Sequence, residues 1–384
     1  MHELEHLPTF QSRGKAIGFF VAGVVLCAVG FLTNSAGFLP AYLFSYLFWI
    51  GAAVGSLGLM LLINLTGGGW GAVIYRLLTA GAKTLPLMAV LFLPILFGMR
   101  DLYEWASPEA LAHDELLQAK AGYLNPTFFV LRTVVYFAFW LGATVVVLKA
   151  VGRWDAGERG LRPAVRGFSG FAMWMLAYSV TFASVDWSMS LEPHWYSTIF
   201  GMKAFVSMGL ITFAAMIVGL RFLLRFPGVD RFATEERIHD LGKLLFGFTN
   251  LWAYMSFAQL IIIWSGNLPE LNIWYIKRSL NGWNAVGVIL IVFHFGLPFL
   301  ILLSRYSKQR IEILSLLALW LLVMQLVDQF YQVIPVFRPG LSVTLTDVLV
   351  PLGMGALWIG GVLWSLHGRR VLVPHDDLVP RGAH

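Results

Sequence analysis

The residues best suited to chemistry lie in one short stretch, residues 186–201, which reads DWSMSLEPHWYSTIFG. It combines the carboxyl groups of Asp186 and Glu192 with the imidazole of His194. Carboxylates and imidazoles exchange protons, and ionisable groups at a membrane boundary are costly unless they handle protons or a polar ligand. The stretch is therefore a candidate proton-handling site. The alternative is a surface loop whose tryptophans mark the membrane interface.

Pro193 interrupts any helix that runs through this stretch, and Glu192 before it is pushed towards an extended conformation. We expect a helix that ends near Asp186, a tight re-entrant turn, and a new helix that starts near Ser197. Ser197 and Thr198 are natural N-caps for that helix. Lys203, near the start of that helix, would neutralise Asp186 or Glu192, or else extend its ammonium group to the membrane interface.

A second set of polar candidates lies inside apolar segments. Gln325 and Asp328 are spaced i, i+3 and share one helix face, which predicts a polar seam for function or for hydrogen bonds between helices. Pro298 is expected to kink the helix that carries His294 and to free a backbone carbonyl. His294 is then a proton-relay or quinone-contact candidate, or a hydrogen-bonded core histidine. Two further candidates are Gln259 and Arg132, with snorkelling as the alternative for Arg132.

The composition is that of an all-α polytopic membrane protein. The chain is 58% hydrophobic and 12% charged, and its mean hydropathy is +0.73. The first apolar run lacks a small-residue cleavage site and predicts a retained helix, not a signal peptide. A single cysteine, Cys27, excludes disulfides and Cys-ligated iron–sulfur clusters within the chain. The net charge of +6 is not a nucleic-acid signature, because the basic residues follow particular loops.

Apolar runs of membrane-spanning length predict about ten transmembrane helices in a single domain over 1–384. Spans 2 to 5 and 6 to 9 are expected to form two four-helix bundles, with spans 1 and 10 at the periphery. A periplasmic loop is predicted over 100–125, as a partner-docking amphipathic helix or as an ordinary solvated loop, and a flexible C-terminal tail over 371–384. The ten predicted spans are 15–33, 40–64, 82–99, 126–148, 167–186, 197–224, 240–265, 282–304, 311–331 and 344–366.

Lys and Arg residues are concentrated in loops on the side of the N terminus. The positive-inside rule therefore places both termini in the cytoplasm and residues 186–201 at the outer face. His294 is the only histidine well inside a predicted span, which excludes a transmembrane haem held by paired histidines. The sequence thus offers proton-handling groups without ligands for a metal or a redox centre.

The run DWSMSLEPHWYSTIFG at residues 186–201 closely resembles the signature of the ActF-type membrane subunit of bacterial alternative complex III, a quinol:cytochrome c or quinol:oxidase oxidoreductase. That subunit belongs to the NrfD-like, or polysulfide reductase membrane-subunit, family. The resemblance carries Asp186, Glu192 and His194 across as motif positions. The roles suggested for the other candidates rest on the residues alone.

The resemblance implies a subunit of a bacterial inner-membrane electron-transport complex that is not catalytic by itself. Its partners would be a second NrfD-like membrane subunit, periplasmic subunits that carry iron–sulfur clusters and multihaem cytochrome c, lipids and the quinone pool. It implies no cofactor bound by this chain, apart from menaquinone or another quinone at a site it would help to form. The expected contribution is a proton-translocation path. The alternatives are a stand-alone secondary transporter and a purely structural membrane anchor.

Overall fold

The structure of the protein, a computed structural model, describes residues 7–158 and 160–374. Among them are ten helices long and apolar enough to cross a membrane, which confirms the predicted all-α polytopic class. The helices are numbered here as spans 1 to 10 in chain order. Their bounds are Arg13–Thr33, Ser35–Thr66, Tyr75–Phe97, Pro126–Asp155, Pro163–Leu191, Phe200–Leu223, Glu235–Gly266, Trp283–Leu303, Ile311–Phe337 and Thr346–Leu366.

Span 3 starts at Tyr75 and not at the predicted residue 82. It consists of three helical pieces, Tyr75–Ala82, Leu85–Leu91 and Leu93–Phe97. Pro86 and Pro94 stand in the first turns of the second and third pieces. Proline has no backbone N–H and its ring clashes with the preceding turn, so each proline restarts the helix.

Span 2 is the central helix of the molecule. It packs against spans 3, 5, 6, 9 and 10, and its interior positions are almost all buried. Gly55 lets span 6 approach closely, since a Cβ atom there would stand 2.6 Å from the carbonyl oxygen of Met208 and would collide with Thr212. Small residues at such crossings are typical of helix packing in membranes.

Contacts between the spans divide the helices into three groups. Spans 2 to 5 pack on one another, spans 6 to 9 do the same, and span 1 lies along span 10. Spans 6 and 9 both also pack on span 2. The loops that join the spans at one end of the bundle include residues 100–125, 186–201 and 267–282. This end is called the signature end below.

The two chain ends meet at the opposite end of the bundle. Thr9 and Arg370 form a β-bridge, and the Phe10 N–H donates to the Arg369 carbonyl at 3.0 Å. Residues 371–373 are buried, and Arg76 donates to the Leu372 carbonyl at 3.3 Å. The predicted flexible tail over 371–384 therefore begins as a packed segment, and its residues 375–384 lie outside the described part of the chain.

Candidate functional site

Residues 186–201 do not form one cluster. Their three ionisable groups point to three different partners, each on a different element. Asp186 is fully buried at the end of span 5 and forms a bidentate ion pair with Arg132 of span 4, with Nε–Oδ2 2.8 Å and Nη2–Oδ1 3.0 Å. The Tyr136 hydroxyl donates to the same carboxylate at 2.7 Å. Arg132 is therefore a paired charge and not a snorkelling one, and Asp186 joins spans 4 and 5.

Glu192 pairs with two cations of the short helix Pro269–Ser279, which precedes span 8. Arg278 Nη1 donates to Oε2 at 2.9 Å, and Lys277 Nζ lies 3.0 Å from Oε1 as an ion pair without hydrogen-bond geometry. Glu192 and Arg278 are buried, whereas Lys277 is half exposed. Burial lowers the pKa of Arg278, and the charge of Glu192 opposes that shift. Glu192, Lys277 and Arg278 are called the Glu192 clasp.

Arg278 also completes the hydrogen bonding of span 9. Pro335 in that helix has no N–H, so the carbonyl four residues earlier, at Tyr331, loses its helical donor. Arg278 Nε donates to this carbonyl at 3.0 Å, and Nη2 donates to the Gln332 carbonyl at 2.6 Å. A guanidinium suits the position because its donors form a rigid planar fork.

His194 faces the 100–125 loop, where its Nε2 lies 2.7 Å from Asp114 Oδ2. Nearby, Lys120 Nζ donates to the Pro193 carbonyl. Partial desolvation raises the pKa of Asp114, but the backbone N–H groups of Leu117 and Leu116 and the His194 ring outweigh it, so the pKa lies below its ordinary value. The loop contains the short helices Pro108–His113 and Glu115–Lys120 and is attached to residues 186–201 by these contacts.

Span 6 begins at Phe200, three residues later than expected, and neither Ser197 nor Thr198 caps it. Trp195 explains the delay. Its ring stacks on Trp274 with centroids 5.4 Å apart, and its Nε1 donates to the Leu271 carbonyl at 3.1 Å. This anchoring holds the chain in a non-helical path to Ser197, so tertiary contact overrides the capping preference.

Lys203 was expected to neutralise Asp186 or Glu192, or to extend to the membrane interface. Its partner is instead Asp328. Its Nζ lies 3.2 Å from Asp328 Oδ1, and both side chains are buried between spans 6 and 9. Asp328 Oδ2 accepts from Trp252 Nε1 at 3.2 Å and from Gln332 Nε2 at 2.9 Å. Lys203 faces spans 7 to 9, whereas Asp186 faces span 4, and this orientation decides the pairing.

His294 lies in a π-helix, Leu290–Gly296, directly before Pro298. Hydrogen bonds in the π-helix join residues five apart, as in the Leu297 N–H to Val292 carbonyl bond, so Pro298 frees the carbonyl of Phe293. This carbonyl accepts from Trp320 Nε1 at 2.8 Å. His294 is fully buried, its ring lies 3.7 Å from the Trp252 ring, and its Nε2 is 3.2 Å from Gln325 Nε2. Isolated π-helical turns are frequent at functional sites.

These side chains form one buried polar group inside spans 6 to 9. Gln325 and Asp328 share a face as predicted, and both are buried. The group is called the Asp328 cluster, and its members are Lys203, Trp252, His294, Gln325, Asp328 and Gln332. Gln332 connects it to the Glu192 clasp, because its side chain donates to Asp328 while its carbonyl accepts from Arg278.

The cluster and the clasp together extend from the signature end to the middle of the membrane. Gln325 stands 12 residues before the end of span 9 at Phe337, or about 18 Å along the helix. Beyond it, the interior of the described bundle is mainly apolar, as at Leu245, Leu317 and Leu321. The polar path therefore crosses about half of the membrane.

Five buried polar atoms in the described parts of spans 6 to 9 have no hydrogen-bond partner: Ser207 Oγ, Ser256 Oγ, Gln259 Oε1, His294 Nδ1 and Gln325 Oε1. Ser207 follows Lys203 by one helical turn, and Ser256 and Gln259 follow Trp252 at i+4 and i+7. They lie on the same helix faces as the cluster. Buried polar atoms normally bond to protein or to water, so these positions suit internal water molecules.

Groupings of metal-ligating side chains and cavities are the remaining features of the described residues. No group of three His, Cys, Asp or Glu side chains there could hold a metal ion. A cavity of about 590 Å³ opens at the signature end, between residues 34–40, Asp101, Phe337 and Arg338. None of the predicted site residues lines it, and Arg338 is already bidentate on Asp347 at 2.6 and 3.0 Å.

Neither known protein families nor curated proteins give a match to this chain. Its own residues therefore carry the functional argument. Several of them were not singled out from the sequence, namely Arg278, Lys277, Trp252 and Tyr136. One signal was available for Arg278, because Pro335 frees a carbonyl that needs a donor. No comparable signal in the sequence identified Trp252 or Tyr136 as hydrogen-bond donors to buried carboxylates.

Proposed function

We propose that this chain is a membrane subunit of a quinol-oxidising electron-transport complex and that its Asp328 cluster handles protons for that complex. The observation that carries the proposal is the Lys203–Asp328 ion pair, buried beside His294 and joined by hydrogen bonds to the signature end. Charged groups inside a membrane bundle are costly and commonly mark proton or ion paths.

The partners in the proposal come from the resemblance of residues 186–201. They are a second NrfD-like membrane subunit and periplasmic subunits with iron–sulfur clusters and c-type haem, in a bacterial inner membrane with both termini cytoplasmic. The chain itself would bind no redox centre. Oxidation of a quinol releases two protons with two electrons, and a path of carboxylate, imidazole and water can carry those protons.

The side chains of the path have different tasks. Asp328 and His294 can each hold a proton, while Lys203 balances the charge of Asp328. Arg278 and the Gln332 amide do not exchange protons readily, so direct side-chain transfer from Glu192 to Asp328 is interrupted there. Water bound at Ser207, Ser256 and Gln259 would bridge that interval. The path then has an entrance near Glu192 and an inner end at His294.

The test uses the native complex, purified gently and reconstituted into liposomes with a pH-sensitive dye outside and a quinol donor. We expect Asp328→Asn and His294→Leu to lower the number of protons released per electron while the subunits stay assembled. Asn250→Leu is the matched control, because Asn250 is a polar residue of span 7 whose amide bonds to its own helix at Phe246.

The double variant Lys203→Met/Asp328→Asn is the control for misfolding of Asp328→Asn, because it leaves no unpaired buried charge. Normal proton release in this double variant and in His294→Leu would exclude the proton role. Co-purification of multihaem c-type and iron–sulfur subunits, seen by mass spectrometry and a reduced-minus-oxidised spectrum, tests the partners separately.

A stand-alone secondary transporter is the second candidate, and one observation favours it. Spans 3 and 8, five spans apart, are both interrupted, the first at Pro86 and Pro94 and the second by the π-helix. Interrupted helices in corresponding positions of two halves are typical of transporters. A colourless protein that purifies without partners and drives solute uptake in liposomes would favour this candidate.

A further inference from the structure

Span 5 carries a row of large aromatic side chains on its outer surface. Phe171, Trp174, Tyr178 and Phe182 are 60, 55, 52 and 45% exposed. Their spacing of three or four residues places them on one helix face. The row, called the span 5 ridge, is about 16 Å long. The Trp174 and Tyr178 rings pack edge to face with centroids 4.8 Å apart.

The two polar rings of the ridge lie in the middle of the span. The α-helix of span 5 extends from Arg162 to Trp187, before the short 3-10 turn at Met189–Leu191. Trp174 therefore stands about 18 Å from one end of the α-helix and about 20 Å from the other. Helical side chains lean towards the N-terminal end of their helix, which directs Tyr178 towards the level of Trp174 and away from the nearer interface. Both polar groups therefore lie near mid-membrane.

Hydrocarbon cannot accept the hydrogen bonds that these rings offer. Neither Trp174 Nε1 nor the Tyr178 hydroxyl bonds to any residue that the structure describes, and an unsatisfied donor in a bilayer core is energetically costly. Tryptophan and tyrosine facing lipid are enriched at the two interfaces, not at the centre. Trp320, another partly exposed tryptophan, differs, because its Nε1 donates to the Phe293 carbonyl.

We propose that the span 5 ridge is covered in the membrane by a transmembrane helix of a different polypeptide, one that presents side-chain oxygen acceptors at mid-membrane. Polar residues that bond across helices are typical of such contacts. A second copy of this chain, ridge against ridge, would bring two phenolic oxygens for four donors. One Tyr178 hydroxyl could donate to the other, but at least one hydroxyl proton would stay without an acceptor. A quinone head group would cover one ring and not a row of four.

The span 5 ridge lies outside the proposed proton path, so the partner helix and the proton role can each fail without the other. The test places the photocrosslinking residue p-benzoylphenylalanine at Phe171, in the full chain expressed in its own membrane with its native partners. The same probe at Leu300, an exposed residue of span 8 without a polar ring nearby on its face, is the control. Adducts are separated by mass and mapped to peptides.

We expect light to produce one discrete adduct at Phe171, mapped to a transmembrane segment that contains Ser, Thr, Asn or Gln. The double variant Trp174→Phe/Tyr178→Phe keeps the rings and removes both donors, and it should lower the yield about three- to tenfold. A product of two copies of this chain, a lipid or quinone adduct, absence of an adduct, or a yield unchanged by the double variant would each overturn the proposal.

Discussion

Arg278 supplies the hydrogen bond that Pro335 removes from span 9. The proline leaves the Tyr331 carbonyl without a helical donor, and the guanidinium reaches that carbonyl at 3.0 Å while pairing with Glu192 at 2.9 Å. The break in a membrane helix is thereby joined to residues 186–201 through Arg278, which lies 86 residues after Glu192 in the chain. Glu192 thus has a structural task at the entrance of the polar path.

The first prediction concerns Arg278→Gln. Because it leaves Glu192 and the Tyr331 carbonyl without their buried donor, we expect the free energy of unfolding to fall by about 3–5 kcal/mol. Lys277→Gln, at the half-exposed neighbour, should change it by less than about 1 kcal/mol. Unfolding in mixed micelles, followed by circular dichroism, measures both. In a Pro335→Ala background the loss from Arg278→Gln should shrink, and an equal loss would contradict the role given to Pro335.

The second prediction concerns the charge pair inside spans 6 to 9. Lys203→Met alone leaves Asp328 as an uncompensated buried charge, and we expect a loss of about 3–5 kcal/mol in unfolding free energy. Lys203→Met/Asp328→Leu removes both charges and should recover most of that loss. Thermal unfolding of the wild type, of Lys203→Met, of Asp328→Leu and of the double variant in one detergent measures the coupling. Additive losses would show that the two residues do not interact.

The third prediction concerns acid sensitivity at the signature end. The pKa of Asp114 lies below its ordinary value of 3.8 in the folded protein. A carboxyl group with a lowered folded pKa stabilises the fold fully above its unfolded pKa, and this stabilisation is lost as pH falls through the folded pKa. We therefore expect the protection of residues 108–120 against hydrogen exchange, taken relative to the intrinsic exchange rate at each pH, to be constant near pH 6 and to fall below about pH 4.

Two variants separate the functions of Asp114 in that loop. Asp114 accepts from the Leu116 and Leu117 N–H groups as the N-cap of the helix Glu115–Lys120, and it also contacts His194. Asp114→Asn keeps a good cap and removes the carboxylate, so it should abolish the acid-dependent step. Asp114→Ala should raise exchange at every pH. An unchanged acid step in Asp114→Asn would assign the titration to another group.

The fourth prediction concerns the crossing of spans 2 and 6. Gly55→Ala would force its methyl group against the Met208 carbonyl, which is backbone and cannot rotate away. We expect a loss of about 1–3 kcal/mol from overpacking. Gly142→Ala in span 4 is the control, since a Cβ there meets no atom within 4 Å. It should be neutral, or stabilising by up to about 1 kcal/mol. Equal behaviour of the two variants in thermal unfolding would contradict the close approach.

The sequence alone determined the features that depend on neighbouring residues. Long apolar runs indicated ten spans, the i, i+3 spacing placed Gln325 and Asp328 on one face, and Pro298 indicated a freed carbonyl near His294. Hydropathy, helical periodicity and the missing N–H of proline act within a few residues, so no knowledge of packing is needed to use them.

The tertiary structure alone decided which charge meets which. Asp186, Glu192 and His194 are neighbours in the chain, yet their partners Arg132, Arg278 and Asp114 lie 54, 86 and 80 residues away. Lys203 likewise reaches Asp328 across 125 residues. Pairing depends on which helix faces are packed together, and that is set by many long-range contacts at once. A buried charge takes the partner that this packing brings within reach, whatever stands beside it in the sequence.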